Sequence, residues 1–359
     1  MSAPSPRQAF AIAGREIGPD HEPFVICELS GNHNGSLERA LSMVDAAADT
    51  GADAIKLQTY TADTITLNSD APDFRITEGP WAGRTLHDLY AEAYTPYDWH
   101  AALFARARER GVIIFSTPFD DTAVDLLESL GAPAYKIASF EAVDLPLIAR
   151  VARCRKPMII STGLASLAEM AEARDTALSN GAAGVALLHC VSAYPAPIEE
   201  ANVRTVPDLA ARFGVVTGLS DHTPGTAASV AAVSLGAAII EKHFTLARAD
   251  GGPDAAFSLE PAEFKALVSD CKAAWRALGR ATYDELGSER AAAGHRRSLY
   301  VAAPVRAGEP LTPANVRSVR PGYGLAPKHL PAVLGKLATR DLSFGEPLDW
   351  SMVQGGEAG

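Results

Sequence analysis

An α/β closed barrel of eight β/α units, followed by a small β-rich domain, is the architecture this sequence predicts. Three observations predict it. Eight short apolar, β-branched runs lie between residues 24 and 243. A polar tip and a helical, Ala- and Leu-rich stretch follow the runs in alternation. Beyond the last helical stretch the composition shifts to Pro, Gly and short alternating segments.

The runs begin with FVICEL at 24, DAIKLQ at 53, VIIFST at 112 and AYKIAS at 134. They continue with PMIIST at 157, VALLHC at 185, VVTGLS at 215 and AIIEKHF at 238. Runs apolar on both faces suit parallel strands covered by helices, and the lengths between them fit right-handed crossovers. The stretch SLERALSMVDAAADTG at 36 shows the alternation, with Ser36 as N-cap and Gly51 at the far end. Eight units favour a closed barrel over an open doubly wound sheet, and no GxGxxG follows the first run. The connection from the second run to the third, TYTADTITLNSDAPDFRITEGPWAGRTLHDLYAEAYTP, is long enough to be read as a lid or binding segment. A last helix is expected near 261–278. These signals give a catalytic barrel over 1–282, a linker over 283–295 and the small domain over 296–359.

At 359 residues and 47% hydrophobic, the chain can bury one large core with enough left for a second small one. A formal charge of −11 excludes a general phosphate-backbone binder, so no nucleic-acid partner is expected. An anionic substrate must then be held by locally placed donors. Cys27, Cys154, Cys190 and Cys271 are widely spread and are read as reduced thiols. The N-terminal MSAPSPRQAFAIAGREIGPD carries no continuous apolar segment, so neither export nor a membrane anchor is expected and the location is read as cytoplasmic.

In a barrel the carboxyl ends of the strands converge on one mouth. Here those tips are polar on nearly every run: Glu28, Asn32, His33, Lys56, Gln58, Thr117, Lys136, Ser139, Glu141, Ser161, Thr162, His189, Ser220, Asp221, His222, Glu241, Lys242 and His243. His222 and His243 end the seventh and eighth runs, neighbours in a closed barrel. Two imidazoles with open positions beside them suit a divalent metal that also accepts a substrate oxygen. Lys56 with the hydroxyls of Ser139, Ser161 and Ser220 can form a phosphate cradle made of side chains. Lys56 can equally be read as a Schiff-base nucleophile, with Lys136 and Lys242 as rivals.

The motifs GNHNG (31–35), ADAIKLQTYT (52–61), STPFD (116–120), YKIASFE (135–141), STG (161–163), LSDHTPG (219–225) and IEKHFTL (240–246) occur in the order found in the sialic acid synthase family, which this chain resembles. Residues 296–350, with RPGYGL at 320, resemble that family's C-terminal antifreeze-like (SAF) domain. YKIASFE with QTYT and LNSD is most similar to the pseudaminic acid branch, because neuraminate and legionaminate synthases usually carry glycine where this chain has Phe140. The resemblance implies a TIM barrel that condenses phosphoenolpyruvate with an N-acyl amino sugar and releases phosphate. It implies that His222 and His243 hold Mn2+, with Mg2+ or Co2+ as alternatives. Lys56, Ser139, Ser161 and Ser220 would bind the phosphate of phosphoenolpyruvate and Thr117 its carboxylate, with Glu28 as the acid/base residue. Gln58, Glu141, Tyr194 and Asp254 would lie near the sugar. Arg320 would reach the neighbouring subunit's site in a domain-swapped homodimer. Ser192 stands where neuraminate synthases often have asparagine. The alternatives within this reading are a neuraminate or legionaminate synthase, or a Schiff-base lyase. An ice-interacting protein is disfavoured, because that role needs no polar constellation on eight strand tips.

Overall fold

The computed structural model describes residues 9–79 and 81–356. The first eight residues, which open the N-terminal stretch read above, lie outside the described residues, as do Pro80 in the long connection and the last three residues of the small domain. By its contacts the chain divides into two compact units, Met1–Gly279 and Arg280–Gly359.

Eight parallel strands close the first unit into a barrel: β1 (Phe24–Glu28), β2 (Ala54–Thr59), β3 (Ile113–Pro118), β4 (Tyr135–Ile137), β5 (Pro157–Ser161), β6 (Gly184–Cys190), β7 (Val216–Asp221) and β8 (Ile239–His243). Each is one of the eight runs. β8 pairs with β1, Ile239 opposite Phe24 and His243 opposite Glu28, which closes the ring. Side chains alternate between two apolar environments, which is why the runs lack a polar face. Val25, Cys27, Ile55, Tyr135, Ile160 and Leu187 face the outer layer of helices. Phe24, Ile26, Ala54, Phe115, Ile159 and Leu188 fill the barrel itself.

The helices begin where the sequence offers caps. Ser36 accepts a hydrogen bond from the Arg39 amide ahead of helix Leu37–Asp49. Ser166 and Glu169 form a reciprocal capping box ahead of Leu167–Ser179. The long connection after β2 folds into helices Ala62–Ile65 and Leu86–Ala93 before the chain enters His100–Arg110 on the barrel wall.

A feature the runs do not signal is a hairpin of Phe10–Ile12 and Arg15–Ile17 that stoppers the amino-terminal end of the barrel. Phe10, Ile12 and Ile17 pack on the interior residues, and a side chain at Gly184 would meet the Phe10 ring at 2.7 Å. Ala13 and Gly14 make the turn, both at positive φ (48° and 82°), as a two-residue hairpin of this twist requires.

The second unit starts with two short turns, Gly287–Glu289 and Arg290–Ala293, inside the stretch read as linker. Beyond them Ser298–Val301 pairs antiparallel with Val316–Val319. Single bridges such as Val305 to Leu342 and Ala338 to Val353 complete an irregular β fold. Leu299, Val301, Leu311, Val333 and Leu348 form its own buried core. Among the described residues, no helix is long and apolar enough to cross a membrane.

Candidate active site

Period-two alternation along each strand sends Glu28, Lys56, Thr117, Lys136, Ser161, Ser220 and Glu241 into the barrel at one depth, just above the apolar filling. All are buried. Lys56 Nζ lies 2.7 Å from Glu28 Oε2, 3.7 Å from Glu241 Oε1 and 3.2 Å from the Thr117 hydroxyl, to which it donates. Glu241 Oε1 also lies 3.4 Å from Lys136 Nζ and accepts from Ser220 Oγ at 3.0 Å. Gln58 donates to the other oxygen of Glu28 at 2.9 Å. Two carboxylates and two ammonium groups thus balance in a space that would otherwise penalise each charge heavily. Burial works against the Lys56 charge, but Glu241 and then Glu28 outweigh it and hold this ammonium above its ordinary range. At Lys136 burial wins over Glu241, and the group lies below its ordinary range. Lys56 is therefore held charged, the opposite of what a Schiff-base amine requires.

Above this layer His222 and His243 stand with ring centres 5.3 Å apart. Burial, with His222 adjacent, pushes His243 well below the usual imidazole range, so it is neutral with a lone pair to give. Its Nδ1 is buried with no hydrogen-bond partner among the described residues. His222 Nδ1 is engaged by the Val191 carbonyl at 3.0 Å, which fixes the ring and leaves its other nitrogen for the mouth. Two imidazoles sharing one ion through bonds of about 2 Å would put their ring centres on the order of 5 Å apart, so this pair fits a metal. Among the described residues, no cluster of three or more His, Cys, Asp or Glu has metal-holding geometry, so the fit rests on this pair of imidazoles.

The mouth opens into a cavity of about 490 Å³. Its lining includes His243, Tyr194, Asp254 and Glu141, and the long connection adds the apolar Ile65, Ile76 and Leu86 together with Glu78, Trp81 and Tyr90; Phe140 lines it too. Burial pushes the Glu141 carboxyl up to about 7. For Asp254, burial against an opposing hydrogen bond from Ser30 gives about 6. The Tyr194 ring packs 4.4 Å from His222 and 5.4 Å from Phe257, centre to centre. Four buried polar atoms here, Ser161 Oγ, Glu241 Oε2, Glu141 Oε2 and His243 Nδ1, have no partner among the described residues. Native interiors seldom leave such atoms unpaired without a ligand to meet them.

Twelve of the thirteen candidate residues thus meet in one mouth. Ser139 is there too, accepting from the Gly163 amide at 3.2 Å; a side chain at 163 would collide with the Ser139 and Ser192 hydroxyls. The thirteenth, Arg320, is exposed on the second unit. Several polar strand tips face elsewhere. Asn32 braces the Phe244 carbonyl and Ser258, His33 contacts Thr95, and His189 contacts the Ala201 carbonyl. Asp221 and Lys242 pair on the outer face of the barrel. Two contributors have weak or no signals in sequence. Glu241, which touches both lysines, is in sequence one polar strand tip among many, with nothing to single it out. Trp81 donates from its indole to the Pro253 carbonyl at 2.9 Å and so ties the long connection to the loop carrying Asp254.

A model of the NeuB family matches residues 43–283, and one of the SAF domain matches residues 296–354. The chain is 44% identical over 331 residues to the pseudaminic acid synthase of Campylobacter jejuni, covering 92% of this chain and 96% of that protein. It is 43% identical to the pseudaminic acid synthase of Helicobacter pylori, covering 91% and 96%. Identity to the N,N'-diacetyllegionaminic acid synthase of Campylobacter jejuni is 35%, covering 90% and 98%. Among solved structures, the N-acetylneuraminic acid synthetase of Leptospira borgpetersenii, crystallised with citrate, superposes with a TM-score of 0.71 at 30% identity, covering 80% of this chain and 95% of that one.

Proposed function

The chain belongs to the NeuB family, and on that footing we propose that it is a pseudaminic acid synthase, joining phosphoenolpyruvate, 2,4-diacetamido-2,4,6-trideoxy-altropyranose and water to give pseudaminic acid and phosphate. The observation that carries the reading is the set of unpaired buried polar atoms at the barrel mouth, two in the ionic layer and two in the partly apolar cavity above it. Higher identity to pseudaminate synthases than to a legionaminate synthase supports the choice of sugar. So do the apolar contacts offered by Ile65, Ile76, Leu86 and Phe140 in the cavity lining, which suit a deoxygenated, acylated substrate.

In this reading the phosphate of phosphoenolpyruvate sits in the deep layer, held by the Lys56 ammonium and the hydroxyls of Ser139, Ser161 and Ser220, with its carboxylate on Thr117. The sugar lies above, against Glu141, Tyr194, Asp254 and Gln58. Carbon 3 of the enol attacks the aldehyde carbon, water adds at carbon 2, and collapse of the resulting centre breaks the carbon–oxygen bond to phosphate. Glu28, fixed by Gln58 and Lys56, is placed to take the proton of that water. His222 and His243 would hold a divalent ion, Mn2+ by preference; when bound it supplies a Lewis acid for the aldehyde oxygen.

Phosphate release with three sugars tests the proposal. The trideoxy-altrose should be used at least about tenfold better than N-acetylmannosamine or the legionaminate precursor, the scale of discrimination an apolar contact supplies. Chelation should abolish turnover and Mn2+ restore it. Equal or better use of N-acetylmannosamine would move the chain to the neuraminate branch, and full turnover after thorough chelation would remove the metal.

A further inference from the structure

Between β7 and β8 the backbone ladder runs Gly218 to Ile239, Leu219 to Ile240, Ser220 to Glu241 and Asp221 to Lys242, and there it ends. His222 and His243 come one residue later. Across the β7–β8 seam, pairing of the main chain therefore no longer fixes one histidine relative to the other. The backbone carbonyls of the two histidines are claimed from different quarters, that of His222 by the Ala196 amide and that of His243 by the Leu259 amide.

A side-chain cluster takes over where the ladder stops. Lys242 Nζ donates to Asp221 Oδ2 at 2.7 Å and to the Thr223 carbonyl at 2.5 Å, so the residue beside His243 grips both residues that flank His222. Asp221 is fully used in return. Its Oδ1 accepts from the Thr223 amide (2.9 Å) and hydroxyl (2.7 Å), and its Oδ2 also accepts from Ser229 Oγ (2.6 Å) on the helix Ala227–Ser234. The pair is sealed, with side chains 0% and 1% exposed. In so dry a place each hydrogen bond is strong and each alternative arrangement costs a charge its partner. The cluster lies on the outer face of the barrel wall and cannot touch a substrate in the mouth.

We propose that Asp221 and Lys242 are positioning residues: their buried pair sets the separation and aim of His222 and His243 and so tunes the affinity of the mouth for a divalent cation. This rests on the metal reading above. Contacts made directly to ligating side chains typically change metal affinity by about 10–100-fold, and that range sets the scale for a pair acting one residue away.

The test is Mn2+ binding by titration calorimetry on the full-length apoprotein, beside thermal unfolding without metal. Because a single substitution would strand a buried charge, the first variant is Asp221→Asn with Lys242→Met. The milder variants Ser229→Ala and Thr223→Val loosen Asp221 while keeping both charges. The double variant should bind Mn2+ at least tenfold more weakly, and Ser229→Ala a few-fold more weakly, with the sugar and phosphoenolpyruvate absent from the cell. A crystal structure of the variant should show the imidazoles separated or rotated from the 5.3 Å arrangement. Lowered melting with wild-type Mn2+ affinity and unchanged rings would make the cluster a structural staple only and overturn the proposal. If the double variant does not fold, the two mild variants decide it by the same criteria. If the wild-type protein binds no Mn2+, the metal reading fails, and the ring positions alone decide whether the lock exists.

Discussion

Glu141 shows how a single residue can be tuned by where its strand ends. It follows β4 at the cavity wall, and burial lifts its carboxyl from the ordinary range to about 7. The folded state therefore binds this proton more tightly than the unfolded chain. The stability it contributes is complete below the unfolded value near 4.5 and is lost as pH rises through about 7. Glu141→Gln should remove that slope. Above pH 7 the variant should exceed the wild type by on the order of 1–3 kcal/mol in chemical denaturation, the figure reduced from the full shift because the group keeps some contact with solvent. A wild-type slope surviving in the variant would mean the pH dependence arises elsewhere. Which residues would face this mouth was only partly legible in the sequence. His222, His243, Glu28 and Lys56 stand out as polar breaks in apolar runs, but so do Asp221 and Lys242. Only knowing which alternate residues of each strand fill the barrel, Ser220 and Glu241 rather than Asp221 and Lys242, separates the inward set from the outward one.

At the scale of elements, the eight strands were legible because a parallel strand buried on both faces has to be a continuous apolar run. The hairpin at the base was not. Its strands are three residues each and its turn is Ala13–Gly14, without the asparagine or aspartate that marks such turns. The long connection announced itself by length, while the residues it lends to the cavity could not be inferred without knowing that it lines the mouth. β7 carries a sharper constraint: a methyl group at Gly218 would come within 2.2 Å of the Ile239 carbonyl oxygen on β8. Gly218→Ala should push these strands apart and cost about 2–4 kcal/mol, in the range of severe overpacking. It should also lower Mn2+ binding, since His222 follows β7 and His243 ends β8. A variant with wild-type melting temperature would show that the seam can relax.

For the whole molecule, the second unit carries Arg320 on its surface. The domain-swapped homodimer expected from the sequence makes a definite prediction for mixed subunits. Arg320→Ala and Glu28→Ala proteins, each inactive alone, should recover activity after subunit exchange. A heterodimer then holds one site with both lesions and one intact site, so an equal mixture should reach roughly a quarter of wild-type turnover if assembly is random and symmetric. No recovery would mean that each site is built from one chain.

Among the described residues the hairpin closes the base of the barrel, so the deep layer is reached through the mouth, and a chamber filled from one end fills from the back. Phe10, Ile12 and Ile17 seal the far end, while the charged layer of Lys56 and Glu241 lies beneath the cavity lined by Glu141 and Tyr194. Whatever occupies the deep layer must arrive before the upper cavity is taken and cannot leave until it is vacated. Phosphoenolpyruvate should therefore be the obligatory first substrate and the sugar the second. An unreactive sugar analogue should inhibit uncompetitively against phosphoenolpyruvate in initial-rate measurements, and a competitive pattern would show a second route into the barrel. The same seal should give an ordered exit, with the nine-carbon product blocking phosphate until it departs.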